Sequence, residues 1–160
     1  SSIRTNLFKE YLFPILKDIV HNYNIKSDSD NETLELVLDE KYFLANENSW
    51  KSFSLKNIFM ESKGIASIRF EFAVSRGYNK LIFGYKQMNT LSKEQEEILH
   101  DNCLRTFGER PSKGQNGWIL HYPFDKYENW DNWNTLGTIR NEDFKVKLKE
   151  NIYKLIECLD

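Results

Sequence analysis

The stretch IASIRFEFAVSRGYNKLIFGYK, residues 65–86, holds the clearest pattern in the chain. Apolar residues alternate with other residues in both of its halves, and successive side chains of a strand point to opposite faces. Residues 75–79 contain a glycine and an asparagine, which tolerate the backbone of a tight turn. The stretch therefore predicts a half-buried antiparallel hairpin at the centre of a sheet. The residues expected on its buried face are Ile68, Phe70, Phe72, Val74, Leu81, Phe83 and Tyr85, and those expected on the opposite face are Ser67, Arg69, Glu71, Ala73, Ile82, Gly84 and Lys86.

Around this hairpin the sequence predicts helices at both ends and after the hairpin. Apolar residues recur at helical spacing over residues 7–20, where Pro14 predicts a kink or a helix that begins near it. Ser92 and Gln95 form a capping box at the start of a second helix, which Gly108 ends. Asn141 is expected to cap the last one.

Shorter patterns predict further strands. Leu34, Leu36 and Leu38 alternate with polar residues or valine, and residues 42–44 are predicted to be the partner or the continuation of that strand. Residues 50–60 are ambiguous, with a strand favoured over the first half. Residues 118–122 predict a short strand ended by Pro123.

These patterns together predict an α+β fold. We expect one antiparallel sheet of about four to six strands, with the central hairpin at about residues 66–86 and two or three helices packed mainly on one face. A chain of 160 residues with 40% hydrophobic residues can bury one core, so residues 1–160 are predicted to form a single domain. The start without Met and the end inside a helical pattern lead us to expect an excised part of a longer protein.

Composition and charge limit the possible partners. The net charge of −2 gives no overall attraction to nucleic acid or to an anionic membrane, although a local basic face is compatible with it. The N-terminal region has no apolar signal-peptide core and the chain has no long apolar run, which predicts a cytoplasmic protein without a membrane partner. Cys103 and Cys158 have no CxxC spacing and are expected to be buried free thiols.

Candidate cofactor sites are few. The three histidines His21, His100 and His121 are far apart in sequence and do not form a zinc motif with the cysteines. The seven glycines form no phosphate-binding motif. We therefore expect no cofactor in this chain, with Mg²⁺ only if the following alternative holds.

Asp39 and Lys41 are the candidate catalytic residues of that alternative. A carboxylate two residues before a lysine at a strand end is the local form of a metal-dependent nuclease centre, in which the carboxylate holds Mg²⁺ and the lysine orients water. Asp28 or Asp30 would be the second ligand. A charged strand end in solvent is the favoured interpretation, because such triplets are common by chance in a chain with 29% charged residues.

An aromatic segment, residues 118–133, is the candidate binding region. It contains Tyr127, Trp130 and Trp133, and such side chains stack on bases or anchor protein interfaces. The alternative, which we favour, is that they fill the open side of a small sheet. Lys145 and Lys149 lie one helical turn apart in the last helix and could contact phosphates.

The order of features resembles a known family. It comprises a helix, a meander around Ser49-Trp50-Lys51, the strands IRFEF (68–72) and LIFGY (81–85), an aromatic segment and a closing amphipathic helix. In outline over residues 1–160, this order resembles the C-terminal portion of a large bacterial group in the PD-(D/E)XK nuclease superfamily. Those proteins carry the catalytic Asp and Glu-x-Lys in an N-terminal region, followed by a β-rich part. The resemblance implies a catalytic centre outside this chain, so no catalytic residue is carried over.

The resulting hypothesis is a non-catalytic accessory or substrate-contacting domain of a nuclease-like prokaryotic protein, in DNA processing or defence. Its partner would be nucleic acid. One alternative is a protein–protein interaction module that docks another chain through residues 118–133. The other is an independent metal-dependent nuclease centred on Asp39 and Lys41.

Overall fold

The computed structural model describes residues 6–45, 51–75, 78–124 and 137–160. Its strands are β1 (Glu35–Val37), β2 (Lys51–Lys56), β3 (Ile65–Ser75), β4 (Tyr78–Gln87), β5 (Ser112–Lys113) and β6 (Trp118–Pro123). Its α-helices are α1 (Phe13–Ile25), α2 (Glu40–Ala45), α3 (Ile58–Ser62), α4 (Lys93–Phe107) and α5 (Glu142–Glu157). A π-helical turn (Phe8–Leu12) precedes α1, and 3₁₀ turns span Asp30–Glu32 and Thr138–Arg140.

The strands form one six-stranded sheet in the order β1-β2-β3-β4-β6-β5, in which every neighbouring pair is antiparallel. The chain is therefore an α+β protein, as the sequence predicts. The hairpin of β3 and β4 lies at the centre of the sheet, with Phe70 opposite Phe83 and Phe72 opposite Leu81. Short β5 forms one edge of the sheet, and β6 lies between β5 and β4 and pairs with both.

An aromatic ladder crosses the inner face of the sheet. Phe53 of β2, Phe70 of β3, Phe83 of β4 and Tyr122 of β6 stack in sequence, with ring centroids 5.0, 5.3 and 5.7 Å apart. All four side chains are buried. The ladder lies on the predicted buried face, because directly opposed residues on adjacent strands share a face.

The helices cover this inner face. Phe107 at the end of α4 contacts Phe83, and the Tyr85 hydroxyl donates to the Leu155 carbonyl of α5 over 2.5 Å. Tyr23 of α1 meets Tyr153 of α5 edge to face, with ring centroids 5.6 Å apart. The three long helices α1, α4 and α5 therefore pack on the side of the sheet that carries the aromatic ladder.

Local signals in the sequence explain most helix ends. Pro14 lies just after the π-helical turn, and the backbone is helical without a break from residue 6 to residue 25, so Pro14 marks a change of helix type rather than the start of the helical segment. Ser92 and Gln95 form the capping box of α4, and Gly108 ends that helix with φ +78°. Asn141 lies at the N-cap of α5, although its side chain makes no capping hydrogen bond.

One predicted strand is wrong. Residues 42–44 lie in α2 rather than beside β1. The cause is Asp39, whose carboxylate Oδ1 accepts a hydrogen bond from the Tyr42 N–H over 3.0 Å, as an N-cap residue does. The strand predicted in the first half of residues 50–60 is confirmed as β2, and α3 follows it.

The two cysteines are buried free thiols, as predicted. Cys103 of α4 and Cys158 at the end of α5 share a hydrogen bond, which lowers the pKa of Cys158 to about 7 and raises that of Cys103. Asn102 donates to the Cys158 carbonyl over 2.9 Å, so polar contacts join α4 to α5 at this point.

Candidate functional site

The face of the sheet opposite the aromatic ladder, here called the outer face, carries the polar side chains of the central strands. Its central row crosses all six strands at Val37, Ser54, Arg69, Gly84, His121 and Ser112, each directly opposite the next. Ser67, Glu71, Ile82, Lys86 and Trp118 flank this row. The hairpin alternation predicted this face for Arg69, Gly84 and Lys86.

The outer face is less exposed than a simple solvated surface. Glu71 and Ser67 are only 6% and 9% exposed, and Ile82 is buried as well. Arg69 Nη2 forms an ion pair with Glu71 Oε1 at 3.0 Å, on the same side of β3. A carboxylate this buried needs a partner, because burying an unpaired charge costs several kcal/mol, on the order of 3–5. Arg69 therefore neutralises Glu71 while a third of its own side chain remains exposed.

Lys86 brings a second cation to this face. Its ammonium donates to the Asn116 carbonyl over 2.9 Å and lies 5.1 Å from the centre of the Trp118 ring. Burial and then the charge of Arg69 lower the pKa of Lys86, while Glu71 acts in the opposite direction. Arg69 and Lys86 lie on the same face of the neighbouring strands β3 and β4, and two like charges on one face favour an anionic ligand.

Gly84 allows strand β6 to approach β4 closely beside these cations. A Cβ atom at residue 84 would lie 2.0 Å from the Leu120 carbonyl oxygen and 2.8 Å from the His121 Cα. The β4–β6 register also shifts between Tyr85 and Lys86, which marks a bulge, and bulges increase the local twist. His121 is thereby placed on the outer face across Gly84 from Arg69, where burial lowers its pKa.

The structure places Asp39 and Lys41 in the first turn region of α2 rather than at a strand end, since β1 ends at Val37. Asp39 serves as the helix cap, and both side chains are exposed. Asp30 lies in the 3₁₀ turn Asp30–Glu32. Within the described ranges, no group of three or more His, Cys, Asp or Glu side chains is arranged to hold a metal ion.

The predicted binding residues are only partly described. Tyr127, Trp130 and Trp133 lie outside the described residues, so their role stays a prediction. Lys145 is half-buried on α5, and Lys149 is exposed with its ammonium 5.4 Å from the centre of the Tyr153 ring.

A groove of about 450 Å³ brings the start of the aromatic segment to the last helix. Tyr122, Pro123 and Phe107 line it together with Lys147 and Lys154 of α5. Lys154 is paired with Glu150 at 3.1 Å, and Glu109 also lines the groove. These acids offset the two lysines, so the groove is a weaker anion site than the outer face.

The sequence did not indicate that His121 and Trp118 lie on the same sheet face as Arg69 and Lys86. Strand alternation assigned Arg69 and Lys86 to one face, and the same rule applied to residues 118–122 separates His121 from Leu120 and Tyr122. The missing information was the pairing of β6 with β4, because β5 comes first in the chain but lies at the edge.

Comparison of the chain with protein-family models, curated proteins and solved structures finds no match. In the part of the chain that the structure describes, no helix is long and apolar enough to cross a membrane.

Proposed function

We propose that this chain is a non-catalytic, substrate-contacting domain of a nuclease-like prokaryotic protein, and that its outer face binds single-stranded nucleic acid. The observation that carries the proposal is the presence of Arg69, Lys86, His121 and Trp118 on the sheet face opposite the aromatic ladder. A sheet face with cations beside an aromatic ring suits nucleic acid, because rings stack on bases while cations contact phosphates.

The charges of the outer face indicate modest affinity. Glu71 neutralises Arg69, and Lys56 is paired with Glu35 at 3.7 Å, which leaves Lys86 as the main unneutralised cation of the cluster. Binding would therefore depend on a small number of phosphate contacts together with stacking on Trp118. This fits an accessory role, in which a separate part of the protein supplies the reaction.

The salt dependence of binding tests this proposal. We expect a labelled single-stranded DNA or RNA to bind at low ionic strength in a fluorescence anisotropy titration. With two or three phosphate contacts, the log–log slope should be about −1.4 to −2, a loss of roughly tenfold between 50 and 200 mM salt. Trp118→Ala should weaken binding by about 1–3 kcal/mol if the ring stacks on a base.

Two other results would oppose the proposal. The absence of binding even at low ionic strength would exclude the nucleic-acid function and favour the protein–protein interaction module. Cleavage of the DNA with Mg²⁺, lost on Lys41→Ala, would instead assign the chain a nuclease centre at Asp39 and Lys41.

A further inference from the structure

On the outer face, two buried nitrogen atoms have no hydrogen-bond partner in the part of the chain that the structure describes. Arg69 Nε and His121 Nδ1 are buried and unpaired within the described residues. Each such atom costs about 1–3 kcal/mol, and native proteins contain few of them. Arg69 and His121 lie on either side of Gly84 in one row of the sheet. Two unpaired nitrogens in the same row suggest that one ligand accepts hydrogen bonds from both.

The chemistry of the two groups favours an oxyanion. Arginine presents several N–H donors in a planar fork that matches phosphate, and a protonated imidazole donates from both nitrogens. Arg69 uses Nη2 for Glu71, which leaves its Nε–H for another acceptor.

The charged groups near His121 determine the net charge of this part of the outer face. Arg69 and Glu71 of β3, Lys86 of β4 and His121 of β6 lie on the same face around Gly84, and Ser54 and Ser112 complete the row without charge. Together these groups carry a net charge of about +1 with neutral His121 and about +2 when it is protonated. Burial lowers the pKa of His121, and an anion beside the imidazole would raise it.

We propose that Arg69, Lys86 and His121 form a subsite for one phosphate group, here called the phosphate subsite, in which binding is linked to protonation of His121. The assignment of this phosphate to a nucleic-acid backbone rests on the proposed function, whereas the existence of the subsite does not. Affinity rises as the pH falls through the pKa of His121, because the protonated imidazole adds both a charge and a donor.

Nuclear magnetic resonance of the histidine ring signals tests the subsite. Dimethyl phosphate is the backbone probe, because its single negative charge is constant between about pH 5 and 8, and inorganic phosphate at pH 7.5 is the free-phosphate probe. We expect dimethyl phosphate to shift the His121 signals and raise its pKa, while the signals of His21 and His100 stay in place. Binding should tighten at least fivefold from pH 7.5 to 5.5 at constant ionic strength.

Variants separate the subsite from general charge effects. His121→Gln should reduce the pH effect to less than twofold, and Arg69→Lys should weaken binding while keeping the charge. Lys147→Ala, in the groove on the other side of the sheet, should behave like the parent protein. Binding of inorganic phosphate alone would support the subsite and reject the nucleic-acid source.

The subsite would be wrong if neither probe moved His121 more than His21 and His100 at tens of millimolar. It would also be wrong if an oligonucleotide bound equally well to the parent protein and to His121→Gln at both pH values. The second result would leave the proposed function standing, because the oligonucleotide would still bind. Probe binding without oligonucleotide binding would overturn the proposed function and support the subsite.

Discussion

Phe70→Ala is expected to lower the free energy of unfolding by about 3–5 kcal/mol. Phe70 is fully buried and lies in the middle of the aromatic ladder, between Phe53 and Phe83. It also meets Phe124 edge to face, with ring centroids 6.0 Å apart. Truncation would remove contacts on three sides and leave a cavity that rigid strands cannot close. Urea unfolding followed by circular dichroism measures the loss.

Ser54→Ala is the matched control for this prediction. Ser54 lies in the same sheet but on the outer face, directly opposite Arg69, and it is only half-buried. We expect a change within about 0.5 kcal/mol. Equal losses for Phe70→Ala and Ser54→Ala would mean that the faces of β2 and β3 are assigned incorrectly.

Gly84→Ala is expected to destabilise the protein by about 3 kcal/mol, although it adds only one methyl group. The added carbon would meet the Leu120 carbonyl oxygen at 2.0 Å, and backbone cannot move aside as a flexible side chain can. Strands β4 and β6 must therefore separate, which weakens their hydrogen bonds and displaces His121 from Arg69. The variant should lose stability and phosphate binding together.

Gly137→Ala provides the comparison. Its backbone has a helical φ of −62°, and an added Cβ would approach only the Arg140 side chain, at 3.9 Å. We expect little change or a small gain in stability, because alanine restricts the unfolded chain more than glycine does. Thermal unfolding of both variants makes the comparison. A tolerated Gly84→Ala would contradict the close approach of β6 to β4.

The fold was predictable where local chemistry and tertiary structure agree. Alternation over residues 65–86 identified both central strands and their faces, and the Ser92–Gln95 capping box located α4. The sequence-based prediction was wrong at residues 42–44, where a short apolar pattern suggested a strand but the Asp39 side chain caps a helix.

The candidate site was harder to predict because it depends on pairing between distant strands. No spacing rule places His121 beside Gly84, since helix α4 and strand β5 separate β6 from β4 in the chain. The burial of Glu71 was equally hidden, because alternation predicts only which face a side chain lies on. The aromatic residues Trp130 and Trp133 lie outside the described residues, so their contribution stays a prediction.

A pair of charge reversals distinguishes binding through the outer face from binding elsewhere on the protein. Lys86→Glu on the outer face and Lys147→Glu in the α5 groove each replace +1 by −1, so both change the net charge from −2 to −4. Long-range electrostatics therefore affect both variants similarly, and thermal unfolding would verify that both are folded. The measurement is the affinity of each for the same labelled single-stranded oligonucleotide at low salt. Our account predicts a loss of about tenfold or more for Lys86→Glu and a loss of less than threefold for Lys147→Glu. Equal losses, or a larger loss for Lys147→Glu, would contradict binding through the outer face.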